Sequence, residues 1–276
     1  MVWDLGILWE WEYDEKFVRF LDSLCQRFGK ASYLVSPLNL DESLAKISSG
    51  ELRFRVVFDR ATDVNPAFMP IVRLHQGAQS KVINDPEKAI RTYDKARMHL
   101  EFMKGGLNVP YTLILSPEQT INEEEIEKVG RPFVIKTVEG EGGGEGVVLG
   151  AQTVDEVQRV REQNPGKLIL IQENVVPREF HQRRCWFRVF FVCGKVIPCF
   201  WDDRTHVYQR LNPEEELIFG EQRRITEKIH EIIGLEFFST EIVHTRDGRL
   251  VVVDYVNDQC DLRFQSDTPD GVPDSV

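Results

Sequence analysis

The amino-acid sequence predicts a mixed α/β (α+β) protein, with a parallel α/β layer at the N-terminus and strands in hairpin-type pairs after it. Three observations point there. Strand-like and helix-like stretches alternate from Trp3 to Phe58, as strands joined by crossover helices do. Later strand-like stretches come in neighbouring pairs around turn residues, at Cys193–Gly194–Lys195 and at Thr245–Arg246–Asp247–Gly248, the pattern of antiparallel hairpins. Between these regions, Arg131–Leu149 reads as strand, glycine-rich loop, strand.

In the N-terminal part, Trp3–Trp9 is the first predicted strand. Asp14–Arg27 carries Phe17, Val18, Phe20, Leu21 and Leu24 at helical spacing, with Gly29 as a stop. Ala31–Val35 is a second strand, Leu40–Ile47 a short helix, and Leu52–Phe58 a third strand ending in Asp59–Arg60. No glycine fingerprint follows the first strand, so this layer does not read as a dinucleotide site. Asp59, Arg60, Arg73 and His75 are candidates to face a substrate, although solvated loop positions are the favoured reading for all of them.

Asn84–Asp85–Pro86 marks a helix entry, and Tyr93–Lys104 is a second helix stopped by Gly105–Gly106. Tyr111–Leu115 is a strand and Ser116–Gly130 an acidic helix with a solvated face. Thr153–Gln163 is a short helix and Leu168–Gln172 an apolar strand. Val189–Cys193, Val196–Phe200, Ile242–His244 and Leu250–Val253 are further strands, and Glu221–Ile233 is a helix capped by Gly234.

The net charge of −11 argues against a non-specific binder of nucleic acid or anionic membrane, since both need basic surface. Apolar runs are short and broken by charges, far below the ~20 residues of a membrane span. The opening MVWDLGILWEWEYDEK carries acids early and no basic leader, unlike a signal peptide. Cys25, Cys185, Cys193, Cys199 and Cys260 form no CxxC pair, which points to reduced thiols in a cytoplasmic protein, and no Cys/His spacing suits zinc.

The densest signal is the loop. Phe133–Val134–Ile135 is strand-like, Lys136 follows at the strand end, and Gly140, Gly142, Gly143, Gly144 and Gly146 come next, interrupted only by Glu141 and Glu145. Glycines let main-chain N–H groups approach an anion, and a lysine beside them adds a mobile charge suited to phosphate. The order is wrong for a P-loop, where the lysine follows the glycines and opens a helix. Alone, a glycine-rich hairpin or linker explains the stretch equally well.

Together with their neighbours, these pieces resemble the ATP-grasp superfamily, especially its carboxylate–amine ligase branch near the ribosomal-protein glutamate ligase and glutathione synthetase types. Six segments in order carry the resemblance, which runs from Asn84 to Asn257: NDPEKAIRTYDK (Asn84–Lys95); Phe133–Lys136 with the glycine loop; Leu170–Ile171–Gln172–Glu173; Arg188–Val192 with Gly194; Gly234–Glu241; and Val251–Asp254 with Asn257. It implies an ATP-grasp fold in which residues 1–90 form the pre-ATP-grasp layer, 91–172 a central lid subdomain and 173–276 a C-terminal subdomain with the metal site.

The cofactors implied are ATP and Mg2+, with Mn2+ as an alternative ion. Lys95 and Lys136 would contact the α- and β-phosphates from two sides, under a lid that includes Gly142, Gly143 and Gly144. Gln172, Glu173, Asn174 and Val175 would form the hinge at the adenine edge. Glu179 is the candidate for the ribose hydroxyls, with a salt bridge to Arg178 or Arg183 as an equal alternative. Glu241, Asp254 and Asn257 would supply the few hard oxygen ligands that Mg2+ takes beside phosphate oxygens and water, against the simpler reading that Asp254 and Asp258 only end a strand. Arg188 lies in the densest basic cluster, with Arg178, His181, Arg183 and Arg184, and would stabilise the transferred phosphoryl group.

The chain departs from the family pattern in two places. A carboxylate usually stands two residues before the final asparagine; here Asp254 precedes Asn257 by three, and Tyr255 takes the usual place. Residues three apart on a regular strand face opposite sides, so a bulge or a strand end is required to turn both to one ion. Asp258 and Asp261 are reserve ligands. Trp186 also replaces an acid two residues before Arg188, and Trp201–Asp202–Asp203–Arg204 replaces a basic pair, leaving Arg204 as its substitute and Asp202 and Asp203 as candidates to bind an amine.

The activity implied is ATP-dependent joining of a carboxylate to an amine through an acyl-phosphate, with Arg188, Lys136 and Arg204 positioning and stabilising charge. The partners implied are ATP and small carboxylate and amine substrates, or a peptide terminus, with no nucleic acid and no membrane; a homodimer is compatible. Two other readings stay open: a kinase on the same fold acting on a hydroxyl, and a nucleotide-binding protein without catalysis.

Overall fold

The protein is described from a computed structural model covering residues 1–78, 80–138 and 146–276. It begins with β1 (Val2–Trp9), α1 (Glu15–Arg27), β2 (Ser32–Val35), α2 (Leu40–Ser48), β3 (Arg53–Arg60), α3 (Met69–Gly77) and β4 (Lys81–Ile83). The strands form a parallel sheet in the order β2-β1-β3-β4. Alternating side chains serve its two faces. Leu8, Phe54 and Val57 pack with Leu40 and Ile47 of α2 and Ile71 and Val72 of α3. Ile7 and Phe58 pack on the other face with Phe17, Val18 and Leu21 of α1. Gly6 is needed here, because a Cβ would lie 2.3 Å from the Phe54 ring.

This layer corrects the reading of its polar residues as solvated. Asp59, Arg60 and His75 are all buried, and only Arg73 is exposed. Asp59 closes its own turn by accepting from the N–H groups of Ala61 and Thr62, each at 3.1 Å. Arg60 pairs with buried Asp14 and also donates to Gln259 Oε1 at 2.9 Å and Cys260 O at 2.8 Å. His75 stacks on Phe54 at 4.9 Å and accepts the Phe54 N–H at 3.1 Å. Residue type alone favours exposure for these groups, and specific partners overturn it.

Two short helices follow, α4 (Pro86–Tyr93) and α5 (Lys95–Lys104), N-capped by the side chains of Asp85 and Asp94. The central part contains β5 (Thr112–Leu115), α6 (Glu123–Val129), β6 (Phe133–Thr137), β7 (Val147–Ala151), α7 (Val154–Gln163) and β8 (Ile169–Glu173). Its antiparallel sheet runs β5-β8-β6-β7. The helix expected over Ser116–Gly130 starts only at Glu123, where Asn122 and Glu125 make a reciprocal cap. Ile126, Val129, Val157 and Val160 cover Phe133, Ile135, Ile169 and Ile171. The other sheet face is left to Val134, Lys136, Leu170 and Gln172. Gly146 opens β7 at φ 72°, where a Cβ would lie 2.0 Å from Thr137 Oγ1.

The last part contains β9 (Glu179–Phe180), β10 (Arg183–Arg184), β11 (Trp186–Val192), β12 (Lys195–Trp201), β13 (Tyr208–Arg210), α8 (Pro213–Ile218), α9 (Glu221–Ile233), β14 (Phe237–His244) and β15 (Leu250–Asn257). The antiparallel order is β13-β12-β11-β14-β15, with β9 and β10 paired separately. Ile229 and Ile233 of α9, with Met98 and Phe102 of α5, cover Phe187, Val189, Phe238 and Ile242. On the opposite face, Phe190 and Cys199 meet Ile7 and Phe58 of the first sheet. Asn84 braces that junction, its Oδ1 accepting from the N–H groups of Glu236 at 2.9 Å and Phe237 at 3.0 Å.

Candidate active site

The face of the third sheet that carries Phe190 also carries charge. Antiparallel register places Arg188 of β11 opposite Glu241 of β14, and Glu241 opposite Asp254 of β15. Asn257 lies opposite Ser239. Asp254 and Asn257 are three apart on β15, yet their partners on β14 are two apart. A register shift between Ser239 and Glu241 absorbs the extra residue, and a second shift follows between Glu241 and Ile242. The bulge that the spacing required is therefore present, and Asp254 and Asn257 take positions on the same face as Glu241.

Glu241 is 5% exposed, and both its oxygens have donors. Arg188 Nη2 binds Oε1, and Trp186 Nε1 binds Oε2 at 3.0 Å. Trp186 and Arg188 are two apart, so strand alternation puts them on one side. Burial pushes the Glu241 carboxyl above its usual range, Arg188 pulls it down, and the Asp254 charge pushes it up again. Burial works against the Arg188 guanidinium, but Glu241 outweighs it and holds the arginine firmly charged. Its guanidinium lies 4.9 Å from the centroid of Trp201, which stacks on His206.

Lys136 reaches this face from the central sheet. Its Nζ donates to Val253 O on β15 at 2.9 Å. Burial lowers the Lys136 pKa; Asp254 and Glu241 raise it and Lys95 lowers it, so all four charges act on one locus. Lys95 comes to that locus as the first residue of α5. The residues expected at phosphate and metal, Lys95, Lys136, Arg188, Glu241, Asp254 and Asn257, are thus drawn from five separate elements to the seam between two sheets.

Other expected residues go elsewhere or are engaged. The Gln172 amide donates to Thr112 Oγ1 at 3.0 Å and Tyr255 Oη at 2.9 Å. Glu173 accepts from Arg249 at 2.9 Å, and its N–H is taken by Tyr111 O. Asn174 is exposed, and Val175 is buried against Val243, Val251 and Val253. Glu179 is exposed on β9 opposite Arg184. Arg183 pairs with Glu215 and Arg184 with Asp203, so neither is a free anion receptor. Arg204 is exposed in the turn after β12, where Asp202 accepts its N–H at 2.9 Å. Asp258 bonds Asn84 at 2.8 Å, and burial pushes its carboxyl up to about 7; it lines a cavity of about 150 Å3 with Asp59, Asp63 and Tyr93. Asp261 pairs with Arg263. Gly142, Gly143 and Gly144, with Glu141 and Glu145, lie outside the described residues.

Sequence reasoning noted two residues of this seam only as departures from the family pattern and gave neither a role. Trp201 underlies Arg188 from two residues beyond Cys199, the register partner of Arg188 on β12. The Tyr255 hydroxyl bonds both Gln172 and His99 Nδ1, the latter at 2.8 Å.

Two carboxylates and an amide on one face are a hard-oxygen set of the kind Mg2+ accepts when phosphate oxygens and water complete its shell. The like charges of Asp254 and Glu241 face each other across adjacent strands, and Asn257 Nδ2 is buried without a partner. Among the described residues no group of three or more His, Cys, Asp or Glu could hold a metal ion.

Residues 92–268 match the RimK-like ATP-grasp domain. Over 214 residues, 71% of this chain and 44% of the relative, the chain is 25% identical to a "probable alpha-L-glutamate ligase" of Parasynechococcus marenigrum (strain WH8102). It spans about half the length of the curated relatives it matches. The RimK domain ATP-grasp protein of Sphaerobacter thermophilus DSM 20745 superposes with TM-score 0.63 at 21% identity, over 92% of this chain and 90% of that one. The ATP-grasp ligase PsnB, complexed with precursor peptide PsnA2 and AMPPNP, superposes with TM-score 0.67 at 17% identity, over 95% of this chain and 92% of that one. Sheet order, seam and sequence match agree: the chain belongs to the RimK-like ATP-grasp family.

Proposed function

We propose that this protein is an ATP-dependent ligase that joins a carboxylate to an amine. The observation that carries the reading is the convergence of Lys136 and Lys95 with Arg188, Glu241, Asp254 and Asn257 where the central sheet meets β15. Cations and hard oxygen donors set around one locus suit a metal–triphosphate. A bound Mg2+ would supply charge neutralisation on the phosphates, with Asp254, Asn257 and Glu241 as its oxygen donors from the protein.

In the first step an oxygen of the substrate carboxylate attacks the γ-phosphorus, the bond to the β-phosphate oxygen breaks, and ADP leaves. In the second the amine nitrogen attacks the acyl carbon, phosphate leaves, and the nitrogen loses a proton. Lys136 and Lys95 would hold the phosphates, and Arg188, fixed by Glu241, would face charge on the transferred group. No protein nucleophile is needed; positioning and charge stabilisation carry the rate. The relatives' name supports glutamate as one substrate, and the neighbour complexed with a precursor peptide supports a peptide as the other. Five free cysteines support a cytoplasmic setting.

Mg2+-dependent thermal stabilisation by ATP, followed by ADP release across a panel of carboxylates and amino acids that includes glutamate, tests the reading. A ligase releases phosphate only with both substrates present. A phosphorylated hydroxyl product would establish a kinase instead, and no ATP effect on melting would overturn both.

A further inference from the structure

Tyr255 stands where the family pattern expects a carboxylate, and its surroundings give it a different task. The two register shifts in β15 turn it off the Glu241 face and toward α5, where it is 3% exposed with its ring edge-on to Phe102 at 5.5 Å. Its hydroxyl accepts from Gln172 Nε2 at 2.9 Å, which leaves its own proton for His99 Nδ1 at 2.8 Å. Gln172 Nε2 also reaches Thr112 Oγ1 on β5.

Each partner sits on an element that presents a nucleotide-facing residue. His99 is one helical turn after Lys95 on α5, so the two share a side of that helix. Gln172 is on β8, at the start of the hinge segment expected along the adenine edge. Tyr255 itself follows Asp254. One hydroxyl thus joins the lysine helix, the hinge strand and the metal strand. A buried hydroxyl with both bonds made is directional and costly to break, and it fixes distances that apolar packing leaves loose.

Resting on the nucleotide reading above, we infer that Tyr255 is a positioning residue for the nucleotide: through Gln172 and His99 it sets the spacing of α5, β8 and β15 around the triphosphate and base. The test is Mg-dependent AMPPNP binding by titration calorimetry, with KM for ATP, kcat and melting temperature, on wild type and Tyr255→Phe. The hydroxyl's loss should weaken AMPPNP binding about tenfold, the size of one well-made hydrogen bond expressed in affinity. KM for ATP should rise in parallel, while kcat and KM for the carboxylate substrate stay near wild type. His99→Leu should copy the effect, and His99→Gln, whose amide can meet the same hydroxyl, should restore it; this pair decides the matter if Tyr255→Phe does not fold. Unchanged AMPPNP affinity in Tyr255→Phe and His99→Leu, with only the melting temperature lowered, would reduce the network to ordinary core bonding and overturn the inference. Wild-type protein that binds no AMPPNP would instead overturn the nucleotide reading, and this inference with it.

Discussion

Lys136 and Val253 join the two halves of the site: the ammonium on the central sheet donates to the carbonyl of the last strand at 2.9 Å. The bond places a cation beside Asp254 and Glu241 before any ligand arrives, and burial lowers that cation's pKa while the two acids hold it up. An ammonium already largely stripped of water loses little more on meeting a phosphate, which strengthens the contact.

Lys136→Ala should therefore cut nucleotide affinity by roughly tenfold to a hundredfold, the range of a hydrogen bond to a charged group. The fold should survive, since Val134, Ile135 and Leu170 hold that region of the central sheet. Calorimetric titration with Mg–AMPPNP alongside far-UV circular dichroism checks both parts; unchanged affinity would remove the lysine from the phosphate site.

Asp14 and Arg60 predict a stability effect far from the chemistry. Their side chains are 1% and 3% exposed, and Arg60 also holds Gln259 and Cys260. Removing one partner of a buried pair leaves an uncompensated charge, so Asp14→Ala or Arg60→Ala should each cost about 3–5 kcal/mol. A double change to apolar residues, Asp14→Leu with Arg60→Met, should cost less than either. Urea unfolding of the four proteins measures this.

His75 predicts a pH effect. Burial lowers its pKa below the ordinary imidazole value, and Nε2 must stay unprotonated to accept the Phe54 N–H. The unfolded chain then binds more protons than the folded one just below about pH 6.5, so stability rises with pH through that window and is fully present above it. Acidification from about pH 6.5 should cost His75 up to about 1.4 kcal/mol per pH unit until the folded imidazole itself protonates. His75→Gln should flatten the difference in urea midpoint against wild type over that window; parallel profiles would assign the pH dependence to other groups.

The parts of this molecule that were legible in its sequence share a reason. Lys136 was legible because a strand and a glycine run bracket it, and the strands and α1 because local periodicity writes them. Arg60 and His75 were misread because their partners are remote: Cys260 lies 200 positions from Arg60 and Phe54 21 from His75. The helix α3 was missed because Pro70 and Gly77 punctuate it, although a proline in the first turn costs a helix nothing. The double register shift in β15 leaves no mark in LVVVDYVN, which has no glycine or proline, so Tyr255 looked like a defect in the ligand pattern. Glu241 was placed from its order in the chain, but its two donors follow from the register of β11 on β14, 53 and 55 positions away.

Those two donors carry the last prediction. Trp186 replaces a usual acid, and its indole N–H holds Glu241 Oε2 at 3.0 Å in a site only 5% exposed. Trp186→Phe keeps most of the aromatic contact with Trp201, at 6.4 Å, and removes the donor alone. The orphaned oxygen should destabilise the fold by about 1.5–3 kcal/mol, the span for a hydrogen bond to a charged group. Arg188 becomes the one remaining side-chain donor to Glu241 among the described residues, so its hold on the carboxylate should tighten and its availability to a phosphoryl group fall. The variant should thus lose kcat as well as stability, whereas Trp186→His, which can still present a ring N–H, should recover part of both. Urea unfolding and steady-state kinetics on the two variants separate these outcomes; a Trp186→Phe protein with wild-type kcat would show that the indole only fills space.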